Sequence, residues 1–176
     1  TSLLHRIETT DIGVLVTPTL SFDERGHQVN HMTYYCVGWS GNGEKPVDFY
    51  PTAEDFVGEG GNFERPYAIV KNAEGVKVGT RIEGLEAVGG LHFSEVTLEP
   101  EEECSYLIFT GITEDIQEIR NLSKTYTTRE KVLEELEKTK AYWQEKVNVA
   151  YHTGDSDFNQ FMHWVSFQPI LRRIYG

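Results

Sequence analysis

The first two-thirds of the chain alternate or cluster apolar residues with a strand-like period, and the last third changes to a helical one. Asn30-His31-Met32-Thr33-Tyr34-Tyr35-Cys36-Val37-Gly38-Trp39 is rich in aromatic and β-branched residues and predicts a strand. Phe93 to Leu98 alternates apolar and polar positions, the mark of a half-buried strand. Cys104 to Ile112 is a more continuous apolar run and predicts another strand. Between them, Glu99-Pro100-Glu101-Glu102-Glu103 is expected to be a solvated turn. Gly13 to Val16 and Leu20 to Phe22 are further strand candidates. Pro51 to Phe56 predicts a single helical turn within a long loop, and the glycines at 38–43, 58–61 and 89–90 punctuate the rest. Residues 1–122 therefore read as β, in the manner of a sandwich.

From about residue 127 the period is helical. Thr127 and Glu130 have capping-box spacing, and Val132, Leu133, Leu136, Trp143 and Val147 follow near one helical face. Glu134 and Lys138 form an acid-before-base pair one turn apart. Gly154-Asp155 predicts the cap of a second helix carrying Phe158, Phe161, Met162, Trp164, Val165 and Phe167. Pro169 is expected to break or kink that helix. Its apolar residues run round most of its circumference, so it calls for partners on more than one side. The fold class read from this pattern is α+β, arranged β then α. The predicted divisions are a β-sandwich portion at 1–122, a helical linker at 123–154 and one further helix at 155–176. The lack of an initiator Met, and the stop inside the apolar stretch ending Arg172-Arg173-Ile174-Tyr175-Gly176, are read as marks of a piece of a longer polypeptide.

Composition narrows the functional classes. The chain has 176 residues with 12% aromatics, too aromatic for a disordered segment. Its 28 acidic and 16 basic residues give a net charge of −12, which disfavours nucleic acid and anionic lipid surfaces. No apolar run approaches the length of a membrane span. The two cysteines, Cys36 and Cys104, do not make a disulfide framework, and a cytoplasmic location is the simplest expectation. Both lie in apolar strand-like segments and are expected to be buried, inert thiols.

Individual site signals are weak. Gly58-Glu59-Gly60-Gly61 lacks a phosphate-loop pattern and reads as a turn. Glu59, inside that loop, is the one carboxylate kept as a ligand-contact candidate. His27 and His31 fall on a turn and a strand, so no metal site is expected from them. Ser40 lacks the elbow context of a nucleophile. Trp39, Trp143 and Trp164 could stack on sugar rings or pack in a core, with core packing favoured for the last two. Gln168, Arg172 and Arg173 form a polar strip, where arginine could grip phosphate or complement a helix C-terminus.

Several stretches together resemble a known family. Pro51-Thr52-Ala53-Glu54-Asp55-Phe56-Val57-Gly58-Glu59-Gly60-Gly61 with Phe63-Glu64-Arg65-Pro66 resembles a loop of the cellobiose phosphorylase-like enzymes of glycoside hydrolase family 94. Asp157-Phe158-Asn159 with Trp164-Val165-Ser166-Phe167-Gln168 is similar to their tryptophan-to-glutamine spacing, and Leu85 to Gly111 to their last sandwich strands. The resemblance implies a partial mutarotase-like β-sandwich, then a linker helix near 129–147, then the first helix of a truncated (α/α)6 barrel. It implies an inverting phosphorolysis, in which inorganic phosphate attacks a β-glucoside to give an α-sugar 1-phosphate. Phosphate is a co-substrate there, and no metal or organic cofactor is required. The catalytic acid would lie beyond Gly176, so no catalytic residue is expected here. Trp164 and Gln168 match the family pattern and would at most shape the wall of the site, and Arg173 falls where some relatives also carry an arginine. Implied partners are a β-linked glucose-containing saccharide, the rest of the parent polypeptide and a second subunit. The run from Gln168 to Arg173 departs from the best-known cellobiose enzymes and leaves the acceptor sugar open. A stand-alone carbohydrate-binding module, offering Trp39 and the Gly58–Gly61 loop, is the alternative, and a purely structural dimer-forming domain a third reading.

Overall fold

A computed structural model describes residues 5–19 and 30–175, apart from the side chains at 170 and 173–175. The expected strand at 20–22 and His27 lie outside the described residues. The chain forms two units, Thr1–Arg129 and Glu130–Gly176.

The first unit is built on a five-stranded antiparallel sheet. Its strands are β1 (His5–Thr9), β2 (Gly13–Pro18), β3 (Thr33–Ser40), β5 (Arg81–Glu83) and β7 (Tyr106–Thr113), in the order β5-β1-β2-β3-β7. A second sheet pairs β4 (Asp48–Thr52) with β6 (Ala87–His92). It covers one face of the first, and the core between them is Ile7, Val14 and Phe49, with Val16, Val76, Ile82, Ala87 and Leu91 packed around it. Phe49 and Val37 are completely buried. Each such side chain contributes about 1.5–3 kcal/mol through burial. The glycines of β6, read from sequence as turn punctuation, are instead demanded by close approach, of the first sheet at Gly89 and of the paired strand β4 at Gly90. A Cβ on Gly89 would sit 2.5 Å from Cys36 Cβ, and one on Gly90 would sit 2.7 Å from the Tyr50 carbonyl oxygen.

The opposite face of the larger sheet is covered by α3 (Ile116–Thr125), a segment whose first part was expected to be β. Asp115 caps it by accepting from the Gln117 amide at 2.8 Å, and Ile119 is its buried anchor. Trp39 is only 3% exposed there. Its Nε1–H donates to the Tyr126 carbonyl oxygen at 2.9 Å, and its ring stacks on Phe109 at 5.1 Å. At the outer end of this face the β1–β5 pair carries the exposed ion pairs Arg6–Glu83 and Arg81–Glu8.

The expected strand at Phe93–Leu98 does not form. Residues 93–99 pair with no strand among those described, and Val96 and Leu98 are about half exposed. Alternation makes a strand only where a neighbour takes its backbone groups, and after His92 the chain leaves β4 behind. The acidic stretch Glu101–Glu103 is an exposed turn, as expected.

The second unit holds most of α4 (Arg129–Lys146) and all of α5 (Ser156–Tyr175). Asp155 caps α5 through the amides of Asp157 and Phe158, both at 3.0 Å, as its spacing predicted. Thr153 and Asn159 add a reciprocal clasp: the Asn159 side chain accepts from the Thr153 amide and donates to its carbonyl oxygen. Pro169 does not end α5, which runs on to Tyr175. The proline ring leaves the Val165 carbonyl oxygen without its usual intrahelical donor, but the helix continues on both sides. No helix among the described residues is long and apolar enough to cross a membrane.

Candidate functional site

Three places carry chemistry, and each follows from local sequence. The first is the loop after α1 (Ala53–Val57). Thr52 caps this short helix, its hydroxyl accepting from the Asp55 amide at 3.1 Å and donating to the Asp55 carboxylate at 2.7 Å. The backbone then turns through Gly58 and Gly60, at φ of 80° and 69°, values that suit glycine. Glu59 sits exposed at the tip of this turn. Beside it is an open depression of about 380 Å³, lined by Gly58, Glu59, Arg65, Tyr67 and Lys71. Phe63, Tyr67, Ile69 and Val70 are all more than half exposed nearby.

The second is the groove between α4 and α5, about 390 Å³, walled by Trp143, Val147, Trp164 and Phe167 and rimmed by Gln160 and His163. Trp143 meets Phe167 edge-on at 4.5 Å, and Trp164 stacks beside Phe167 at 5.7 Å. Trp164 is nevertheless 57% exposed, so it is not the packed core residue the helical pattern favoured. Gln168 lies one turn further along α5. Its Nε2 is enclosed without a hydrogen-bond partner among the described residues. Arg172 is exposed, whereas the Arg173 side chain lies outside the described residues. Glu59 therefore belongs to the first unit, and Trp164 and Gln168 to the second.

The third was not singled out from sequence. Asp48, on β4, is 4% exposed, and its Oδ1 accepts from His92 Nδ1 at 2.7 Å across the β4–β6 pair. Lys77 Nζ lies 3.7 Å from Oδ2. Tyr50 stacks on His92 at 5.9 Å and donates its hydroxyl to the Ala73 carbonyl oxygen. Burial, and then the Asp48 charge, push the Tyr50 phenol above its ordinary range. Hydrogen bonding to Glu74 raises the Lys77 ammonium. The only sequence signal for this cluster was an Asp preceding a short apolar run interrupted by Pro51, which gave no reason to connect it with His92.

The remaining candidates resolve plainly. Ser40 is buried and its Oγ accepts from the Glu44 amide at 3.0 Å, so it closes a turn. Cys36 donates Sγ–H to the Gly89 carbonyl oxygen at 3.3 Å, and burial raises its thiol. Cys104 departs from expectation: it is exposed and precedes β7 rather than lying within it. Trp39 offers no surface to a sugar, because it is 3% exposed, its ring stacks on Phe109 and its N–H is bonded inside the fold. No cluster of three or more metal-ligating side chains occurs among the described residues.

Residues 16–129 match the glycosyl hydrolase 94 supersandwich domain, about two-thirds of the chain. The chain belongs to the glycosyl hydrolase 94 family. In this glycosyl hydrolase 94 chain the matched span runs from the middle of β2 through α3 and stops at Arg129, where the first structural unit also ends. It contains the Glu59 loop and the Asp48–His92 pair, while Trp164 and Gln168 lie past it. A search of the curated proteins found no match.

Proposed function

We propose that this chain is the non-catalytic sandwich-and-linker portion of a glycoside phosphorylase, which uses inorganic phosphate to cleave a β-glucoside such as cellobiose or a β-glucan oligosaccharide into an α-sugar 1-phosphate. The observation that carries the reading is the match of the whole first unit beyond Val16 to the glycosyl hydrolase 94 supersandwich. The order of elements supports it: a β-sandwich, a long charged helix, then a helix with an exposed aromatic flank. Its one buried carboxylate on β4, Asp48, is committed to His92 and Lys77, which suits a structural role. In this reading Trp164, Gln168 and Arg173 help shape the wall of a saccharide site completed by the rest of a cytoplasmic, dimeric parent polypeptide, Glu59 is a separate ligand-contact candidate on the first unit, and no organic cofactor or metal takes part.

The first test is a denaturing immunoblot of source-cell extract combined with an activity assay. The reading expects a band several times larger than 20.1 kDa, and disappearance of cellobiose or a β-glucan oligosaccharide only when phosphate is supplied. A band near 20 kDa, or phosphate-independent cleavage, overturns it.

A further inference from the structure

α3 is the last element that lies wholly in the first unit, and its two ends are fastened in different ways. At the N-terminal end the fastening is local. The Thr113 hydroxyl, at the end of β7, accepts from the Asp115 amide at 3.0 Å and donates to the Glu118 carboxylate at 2.5 Å, while Asp115 caps the Gln117 amide. At the C-terminal end the fastening comes from a residue 87 positions away in the chain. The Tyr126 amide closes α3 on the Leu122 carbonyl oxygen at 2.8 Å, but the Tyr126 carbonyl lies past the reach of the helix's own donors. The buried Trp39 indole supplies the missing donor, Nε1 to oxygen at 2.9 Å.

Three rings bracket the same point. Trp39 stacks on Phe109 at 5.1 Å, and Phe109 stacks in turn on Tyr126 at 5.4 Å, with interplanar angles of 23° and 28°. Trp39 stands on β3 and Phe109 on the neighbouring strand β7. Tyr126 is therefore held to two strands of the sheet, by its carbonyl at one and by its ring at the other. A buried donor left without a partner costs about 1–3 kcal/mol, so the indole and the carbonyl keep each other in place.

The chain changes character directly after this point. Thr127 and Thr128 belong to no helix or strand, and their backbone bonds to no strand among the described residues. α4 starts at Arg129, and the division between the two units falls between Arg129 and Glu130. Hinges are a few residues at the ends of elements that absorb changes in φ and ψ. We propose that Thr127 and Thr128 are a hinge at the exit from the sandwich, and that Trp39 is the pin that stops its motion at Tyr126. Without the indole donor, the last turn of α3 joins the hinge. The inference rests on bonds inside the first unit and not on the reaction of the parent polypeptide.

The test measures backbone ¹⁵N relaxation and amide exchange on the full chain. The proposal expects Tyr126 to be as ordered as Val37 in β3, with an order parameter of about 0.85, and a fall below about 0.6 confined to Thr127 and Thr128. Trp39→Phe keeps a ring against Phe109 and removes the donor. It should speed exchange of the Tyr126 amide by about tenfold or more while Val37 changes by less than about threefold, and it should extend the loss of order back to Leu122. Tyr126→Phe, which keeps the ring and the carbonyl, should match the original chain. Asp115→Ala should speed exchange at Gln117 and spare Tyr126. Uniform order through Thr127 and Thr128, or a loss of order that already begins before Tyr126 in the original chain, overturns the proposal without recourse to any variant. Equal acceleration at Tyr126 and Val37 in Trp39→Phe makes Trp39 an ordinary core residue and overturns the pin.

Discussion

Replacing His92 by Leu tests whether the Asp48–His92 pair clamps the two-stranded sheet. Leucine has a similar volume, so the change removes the hydrogen bond more than the packing. Asp48 stays behind, 4% exposed, with Lys77 Nζ at 3.7 Å as its remaining partner among the described residues. A hydrogen bond to a charged group is worth roughly 1.5–3 kcal/mol, and a buried carboxylate stripped of its partner costs up to about 5 kcal/mol. The His92 side chain is 37% exposed and the Lys77 ammonium can move closer, so the lower part of that range applies, about 2 kcal/mol. In urea this is a midpoint shift of roughly 1 M at the usual slopes for a domain of this size. The readout is urea unfolding at pH 7 followed at the Phe49 amide, which lies beside the pair and bonds to Val76 at 3.0 Å. Asp48→Asn keeps an acceptor for His92 while removing the buried charge. The double variant should therefore cost at least about 1 kcal/mol less than the two single costs added together. A His92→Leu chain within about 0.5 kcal/mol of the original, or strict additivity, would refute the clamp.

Three further outcomes follow from the same geometry. Phe49→Ala, at the fully buried centre of the sandwich, should cost about 3–5 kcal/mol, and a loss under 1 kcal/mol in chemical denaturation would mean the two sheets do not share that core. A thiol-reactive aromatic disulfide should label Cys104 in the folded chain and reach Cys36 only on unfolding, since one thiol is exposed and the other is raised by burial and bonded to Gly89; labelling of Cys36 first, read by peptide mass, would contradict this. The raised Tyr50 phenol means the folded state holds its proton more tightly than the unfolded chain does. Its stabilising contribution is complete below the unfolded tyrosine value of about 10 and is lost as pH rises through the folded value. Thermal unfolding between pH 9 and 11.5 should therefore fall more steeply for the original chain than for Tyr50→Phe, and parallel curves would contradict it.

The parts of the fold legible in the sequence were those whose signal is local. β3 and β7 carry aromatic and β-branched residues in runs long enough to stand out, and Asp155 announces α5 through its own capping bonds. What escaped depends on neighbours. β6 was hidden because Gly89 and Gly90 look like a turn until Cys36 and Tyr50 press against them. Phe93–Leu98 had the period of a strand but no strand beside it. α3 had a readable signature, Asp115 with Glu118 three residues on and Ile116, Ile119 and Leu122 along one side, but it was overshadowed by the β pattern before it. Trp39 shows the same limit at the candidate site, since only the fold reveals that Phe109 and Tyr126 enclose it. Asp48 and His92, 44 residues apart, meet only through the β4–β6 register.

The central claim is tested most directly by supplying the intact parent polypeptide, and separately residues 1–176, with cellobiose or a β-glucan oligosaccharide and inorganic phosphate, and following both by ³¹P NMR. The account predicts an α-sugar 1-phosphate resonance growing at the expense of free phosphate with the parent, and none with residues 1–176 alone. A sugar phosphate made by residues 1–176, or no sugar phosphate from any β-glucoside with the intact parent, would contradict it.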